Sequence, residues 1–82
     1  MGFRRQTHQK SRGLRIVEII LNGEPRQVAD GLSIAQLLEL FGWADKYVAV
    51  EVNRQVIPRA RHREHYLAPG DQVEVVTLVG GG

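Results

Sequence analysis

One segment of this 82-residue chain carries apolar residues at helical spacing over two turns, and it limits the fold to what one short helix can cover. Ile34, Leu37, Leu38 and Phe41 fall at i, i+3, i+4 and i+7, so they make a single apolar stripe. Ser33 precedes the stripe and Gln36 lies three residues further on. That is the pattern of a capping box, in which each side chain meets the other's free backbone N–H. Gly42 stands where a left-handed C-terminal cap belongs. The spacing predicts a helix over 33–40. With one stripe it buries one face only, and the remaining apolar residues must supply a sheet for it to cover.

They are arranged to do so. Residues 15–21 are rich in β-branched side chains (Ile16, Val17, Ile19, Ile20) and stop at Asn22-Gly23, a hairpin signal. After Glu24-Pro25, the stretch 26–29 reads as the returning strand, closed by Asp30-Gly31. Beyond the helix, Val48, Val50 and Val52 alternate with Ala49, Glu51 and Asn53, a strand with one buried face. Asn53-Arg54 turns the chain into Gln55-Val56-Ile57, and Pro58 ends the pairing because it offers no N–H. Residues 59–66 read as charged and irregular with room for one helical turn, and Tyr66 and Leu67 are expected to fold back onto the core. Pro69-Gly70-Asp71 is a turn, after which Val73 and Val75 alternate with Glu74 in the last strand. Two hairpin-like halves therefore flank one helix. The predicted class is α+β: a ubiquitin-like β-grasp with a mixed sheet of about five strands packed on one main helix, first and last strands side by side at its centre. The expected divisions are a basic, disordered extension over 1–13, a β-grasp domain over 14–79 and a flexible Gly-Gly-Gly tail over 80–82.

Composition narrows the function classes. A chain of this length supports one domain with a small core. No apolar run approaches the ~18 residues of a membrane span. Residues 1–13 are basic and polar without the apolar core of a secretory signal, which leads to an expected cytoplasmic location. Cysteine is absent, which excludes a disulfide framework, thiolate metal sites and a cysteine nucleophile. The net charge of +2 hides an asymmetry. Arg4, Arg5, Lys10 and Arg12 crowd the start, while the rest holds seven Lys/Arg against nine Asp/Glu. Four charges without an aromatic stacking series make a poor nucleic-acid site.

Side-chain chemistry offers little else. His62 and His65 stand at i, i+3 beside Glu64, but Arg59, Arg61 and Arg63 oppose a cation there, and both histidines read as solvated surface. Ser33 reads as a helix cap rather than a nucleophile, having no histidine nearby to activate it. Asp30, Glu39 and Asp45 read as surface and loop carboxylates, and Trp43 as a core-edge residue. No catalytic residue and no metal site are expected.

The chain's last residues, Gly80-Gly81-Gly82, follow the strand-like run 73–79 without a serine or proline linker. Lacking Cβ atoms, such an arm adopts φ/ψ values closed to other residues and passes through a channel too narrow for side chains. Three extended residues reach about 10 Å, enough to carry the Gly82 carboxylate into another protein's active site. If Val73 and Val75 face the helix, then Glu74, Val76 and Leu78 share the opposite face, with Ala49 and Glu51 beside them. Val76, Leu78 and Ala49 then form an apolar patch rimmed by charge, a mark of partner docking.

The stretch Asn53-Arg54-x-Val56-Ile57-Pro58-Arg59, the entry Pro69-Gly70-Asp71-x-Val73-Glu74-Val75-Val76 and the terminal glycines resemble the thiamine-biosynthesis sulfur carrier (ThiS) family over residues 15–82. The basic extension departs from that family's usual compact form, which begins almost directly at the first strand. The resemblance implies that an E1-like adenylyltransferase, of the ubiquitin-activating type, uses ATP and magnesium to adenylate the Gly82 carboxylate. Sulfur from a donor such as a cysteine desulfurase then displaces AMP and leaves a thiocarboxylate, which a thiazole synthase accepts. An α-carboxyl group has a pKa of about 3.3–3.7, so this nucleophile is ionised at neutral pH. The chain has no glycine-rich phosphate loop, since nothing follows Gly82 to close a cradle. It is thus expected to be a monomeric co-substrate with no cofactor of its own, not an enzyme. Related readings are a carrier for molybdopterin synthesis or tRNA thiolation, a ubiquitin-like protein modifier, and a binding module whose basic arm touches RNA. Thr77-Leu78-Val79 lacks the proline-containing approach usual in the molybdopterin carrier.

Overall fold

Asn22 and Gly23 take φ values of 51° and 82°, the mirror-image turn that matches the twist of a two-residue hairpin. They join β1 (Ile16–Leu21) to β2 (Glu24–Ala29), antiparallel with Leu21 opposite Glu24. The structure, a computed structural model, describes residues 15–78. The expected extension over 1–13 and the tail Gly80, Gly81 and Gly82 lie outside the described residues. Strand β2 begins two residues earlier than the sequence suggested and includes Pro25. It tolerates a proline because it is an edge strand, where a missing N–H need not break the ladder.

The helix α1 (Ile34–Leu40) is capped as expected. Ser33 Oγ accepts from the Gln36 N–H at 3.1 Å, and Gln36 Oε1 accepts from the Ser33 N–H at 2.9 Å. At the other end, the Trp43 N–H reaches the Leu38 carbonyl at 2.7 Å and the Gly42 N–H the Glu39 carbonyl at 3.2 Å. This paired closure requires the left-handed residue that Gly42 supplies at φ 79°.

Three more strands complete the sheet: β3 (Val48–Val52), β4 (Gln55–Val56) and β5 (Gln72–Thr77). Their order is β2-β1-β5-β3-β4, with β1 and β5 parallel and every other pair antiparallel. This is the β-grasp arrangement, first and last strands adjacent. The core forms where α1 crosses the sheet. Ile34, Leu37 and Leu38 meet Val17, Ile19, Leu21 and Val28 of the first hairpin and Val50, Val52, Val73 and Val75 of the second half. Trp43 packs at the core's edge, stacked on Phe41 with ring centroids 5.8 Å apart.

The segment between β4 and β5 corrects two expectations. Leu67 is buried, but Tyr66 is 62% exposed rather than folded onto the core. An isolated bridge pairs Tyr66 with Ser33, and the Leu67 N–H bonds the Leu32 carbonyl at 2.8 Å. Extended backbone sends neighbouring side chains to opposite sides, so only one of the two can face inward. His62 was expected in solvent and is 6% exposed. The carbonyls of His62 and His65 accept the N–H groups of Ala35 and Ile34, each at 3.0 Å. First-turn N–H groups have no partner inside their own helix, so this segment is drawn against α1 to satisfy them. The short 3₁₀ turn Arg59–Arg61 delivers His62 to that position, and its ring Nε2 lies 3.0 Å from the Ile57 carbonyl. Among the described residues, no helix is long and apolar enough to cross a membrane.

Candidate functional site

The alternation of β5 settles which of its side chains face a partner. Val73 and Val75 lie under α1, while Glu74, Val76 and Leu78 are exposed on the other face, Val76 by 55% and Leu78 by 51%. Register places half-buried Ala49 directly opposite Val76, and Glu51 directly opposite Glu74. Val56 of β4 pairs with Glu51 and is exposed too. The three apolar patch residues expected from the sequence therefore lie on one strand pair. Gly82, the expected sulfur-bearing residue, with Gly80 and Gly81, lies outside the described residues.

Backbone and side-chain hydrogen bonds hold β5 along its length. The Leu78 N–H donates to the Tyr47 carbonyl at 2.8 Å, so the chain stays fixed to the β3 side up to its last described residue. Two asparagines hold the rest. Asn22 donates its N–H to the Val73 carbonyl at 2.9 Å, and its Oδ1 accepts from the Val75 N–H at 2.8 Å. That side chain continues the β1 edge where β1 itself has ended. Asn53 accepts from the Gln72 N–H at 2.9 Å and donates to Asp71 Oδ1 at 3.0 Å, while Asp71 Oδ2 takes the Ala68 N–H at 2.8 Å. The two stretches that carry the family resemblance thus touch each other. Asn53 and Arg54 both adopt left-handed φ, 52° and 70°, a turn that asparagine tolerates because its short polar side chain bonds locally.

Other groups at this end were not legible. Tyr47 is 70% exposed, and the Arg59 guanidinium lies 5.7 Å from its ring centroid, within cation–π range. This pair flanks the point where the chain leaves the sheet. Tyr47 lies outside every periodic segment, and Arg59 comes twelve residues later, so no local pattern joins them. On the open face Glu51 and Glu74 share a shallow groove with Arg54 and Gln72. Among the described residues the ion pairs within 4 Å are Arg15 with Asp30 and Arg26 with Glu24, so neither groove glutamate is paired there. Both bridges are solvent-facing and contribute at most about 1 kcal/mol each.

The remaining polar candidates are structural. Ser33 is buried with its hydroxyl engaged in the cap. His62 uses one ring nitrogen on the Ile57 carbonyl. Among the described residues, no group of three or more His, Cys, Asp or Glu side chains comes together as a metal site. What the geometry offers is a rigid sheet with one open, partly apolar face leading to the strand that carries the glycine tail.

Comparison with known proteins agrees with this architecture. The model of the ThiS family matches residues 19–82. The chain is 40% identical over 62 residues to the sulfur carrier protein ThiS of Thermus thermophilus, covering 76% of this chain and 95% of that one. It is 41% identical over 66 residues to a thiazole synthase of Magnetococcus marinus, covering 80% of this chain but 20% of the synthase. The crystal structure of the thiamine biosynthesis protein ThiS from Geobacter metallireducens superposes with a TM-score of 0.70 at 33% identity, covering 80% of this chain and all of that one.

Proposed function

Because this chain belongs to the ThiS family of sulfur carriers, we propose that it carries sulfur on the Gly82 carboxylate for thiazole formation in thiamine biosynthesis. A carboxylate oxygen of Gly82 attacks the α-phosphorus of ATP and pyrophosphate leaves, forming an acyl adenylate. A sulfur nucleophile from a donor such as a cysteine desulfurase then attacks the carbonyl carbon and AMP leaves. Where the donor is a persulfide, a thiol reduces the resulting acyl disulfide to the thiocarboxylate. A thiazole synthase takes the sulfur from there.

Carboxylate attack on a triphosphate is opposed by like charge, so magnesium and cationic groups must surround the reacting atoms. In this reading they belong to the activating adenylyltransferase, and the chain serves as co-substrate. Its own contribution is presentation: Val76, Leu78 and Ala49 dock, and the glycines thread into the partner's channel. The observation that carries the reading is the family match running through to Gly82, on a strand held to the sheet as far as Leu78.

The test combines ATP–pyrophosphate exchange with intact-mass measurement, using a ThiS-type activating enzyme, magnesium-ATP and a sulfur source. The carrier should gain the mass difference between sulfur and oxygen, located at Gly82. Deleting Gly82 should abolish both exchange and mass gain. Undiminished exchange in the deletion variant would remove the tail from the chemistry and the proposal with it.

A further inference from the structure

We propose that the open sheet face is a docking surface for a basic, apolar-edged region of the thiazole synthase, with Glu51 and Glu74 as its charge-reading element. The inference rests on the sulfur-carrier reading above and names the partner of that same surface. Glu51 and Glu74 are direct cross-strand partners on β3 and β5. Both sit on the open face, because Val50, Val52, Val73 and Val75 of the same two strands are buried on the other. Like charges directly opposite on a sheet oppose its formation. Arg54 shares their groove, yet among the described residues no cation lies within 4 Å of either carboxylate. The fold thus holds two negative charges side by side with nothing of its own to offset them, next to exposed Val56 and Val76. A lysine or arginine brought in by a partner meets both carboxylates at once while its neighbours cover the valines.

The pair is also placed to orient a partner. Glu74 lies three residues before Thr77, about 10 Å along the strand from the point where the chain leaves the sheet. At that point the charge reverses, with Arg59 over Tyr47. A surface reading negative at Glu74 and positive beside Leu78 fits its partner in one direction along β5. That direction fixes which way the tail enters. Kinship with a segment inside a thiazole synthase ties the face to that enzyme. A carrier that is a separate chain must find its partner by diffusion, the step that opposite charge accelerates.

The experiment titrates the thiazole synthase, and separately the activating enzyme, with the wild-type chain and with Glu51→Gln/Glu74→Gln. Calorimetry is run at about 0.05 M and about 0.5 M salt, where the screening length shrinks severalfold. At low salt the double variant should bind the synthase roughly tenfold more weakly, the gap should narrow at high salt, and the activating enzyme should be affected less. Its thermal midpoint should equal or exceed that of the wild type, since a repulsion has been removed. Should the double variant fail to fold, Glu74→Gln alone carries the same expectation at smaller size. Equal synthase affinity for wild type and variant at low salt overturns the inference. So does a loss as large, or larger, toward the activating enzyme. A wild-type chain that never accepts sulfur sinks the carrier reading instead, and the two failures are therefore distinct.

Discussion

On β5, Val75 is 6% exposed beneath α1, and Val76, one residue on, is 55% exposed on the opposite face. The same contrast runs across the sheet. Ile19 and Val50 are fully buried, while Ile16 and Val56 stand mostly in solvent. β-Branched residues fit a pleated surface on either side, so both faces carry them. The molecule has a single helix to lay over the sheet, and only the covered face gains from removing apolar area from water. Composition alone makes the two faces look alike. Their energetic roles differ because one is a core and the other is a surface available to be covered.

The largest effect should come from breaking the covered face. Ile19→Ala removes a fully buried side chain from the middle of β1 and should lower unfolding free energy by about 2–5 kcal/mol. Val56→Ala truncates a mostly exposed valine and should stay within about 0.5 kcal/mol. Urea unfolding of both variants makes the comparison directly. Similar losses at the two sites would mean that the open face is packed after all.

A smaller loss should follow from unpinning the seam between the two halves. Asn53→Ala deletes the acceptor for the Gln72 N–H and the donor to Asp71, and it places alanine at a left-handed φ. About 1–2 kcal/mol is expected, less than for Ile19 because the exposed groups left behind can bond water. A urea midpoint equal to that of the wild type would show that the β3–β4 turn does not hold β5.

Most of the fold was legible because it is written in short periods. The stripe from Ile34 to Phe41, the Ser33–Gln36 box and the alternation of Val48, Val50 and Val52 each need only a few neighbouring residues. What escaped depends on contacts distant in sequence. His62 is buried because its segment supplies carbonyls to the first turn of α1, and Tyr66 is exposed because a single bridge to Ser33 sets the facing of the residue after it. Asn22 and Asn53 read as turn residues, but each also bonds β5, at Val75 and Gln72. At the site, alternation was enough to put Ala49, Val76 and Leu78 together. It could not place Arg59 over Tyr47, nor show that Glu51 and Glu74 are exact cross-strand neighbours, since register is not a local property.

The smallest effect on stability should be the largest on function. Val76→Asp puts a charge on the open face, where water still solvates it, so unfolding free energy should fall by less than about 1 kcal/mol, mainly through lost β-propensity and the nearby glutamates. Val75→Asp, one residue earlier, buries the same charge under α1 and should prevent stable folding. Docking should respond in the opposite sense. In the folded Val76→Asp variant an unpaired carboxylate is carried into the interface, where it must be desolvated, and ATP–pyrophosphate exchange at low carrier concentration should drop at least tenfold. Saturating carrier should recover most of the rate, because the tail and its carboxylate are untouched. If Val76→Asp unfolds the free protein, Val76 belongs to the core and the division between the faces is drawn in the wrong place. If it folds and exchanges like the wild type, the open face is not where the activating enzyme holds the carrier.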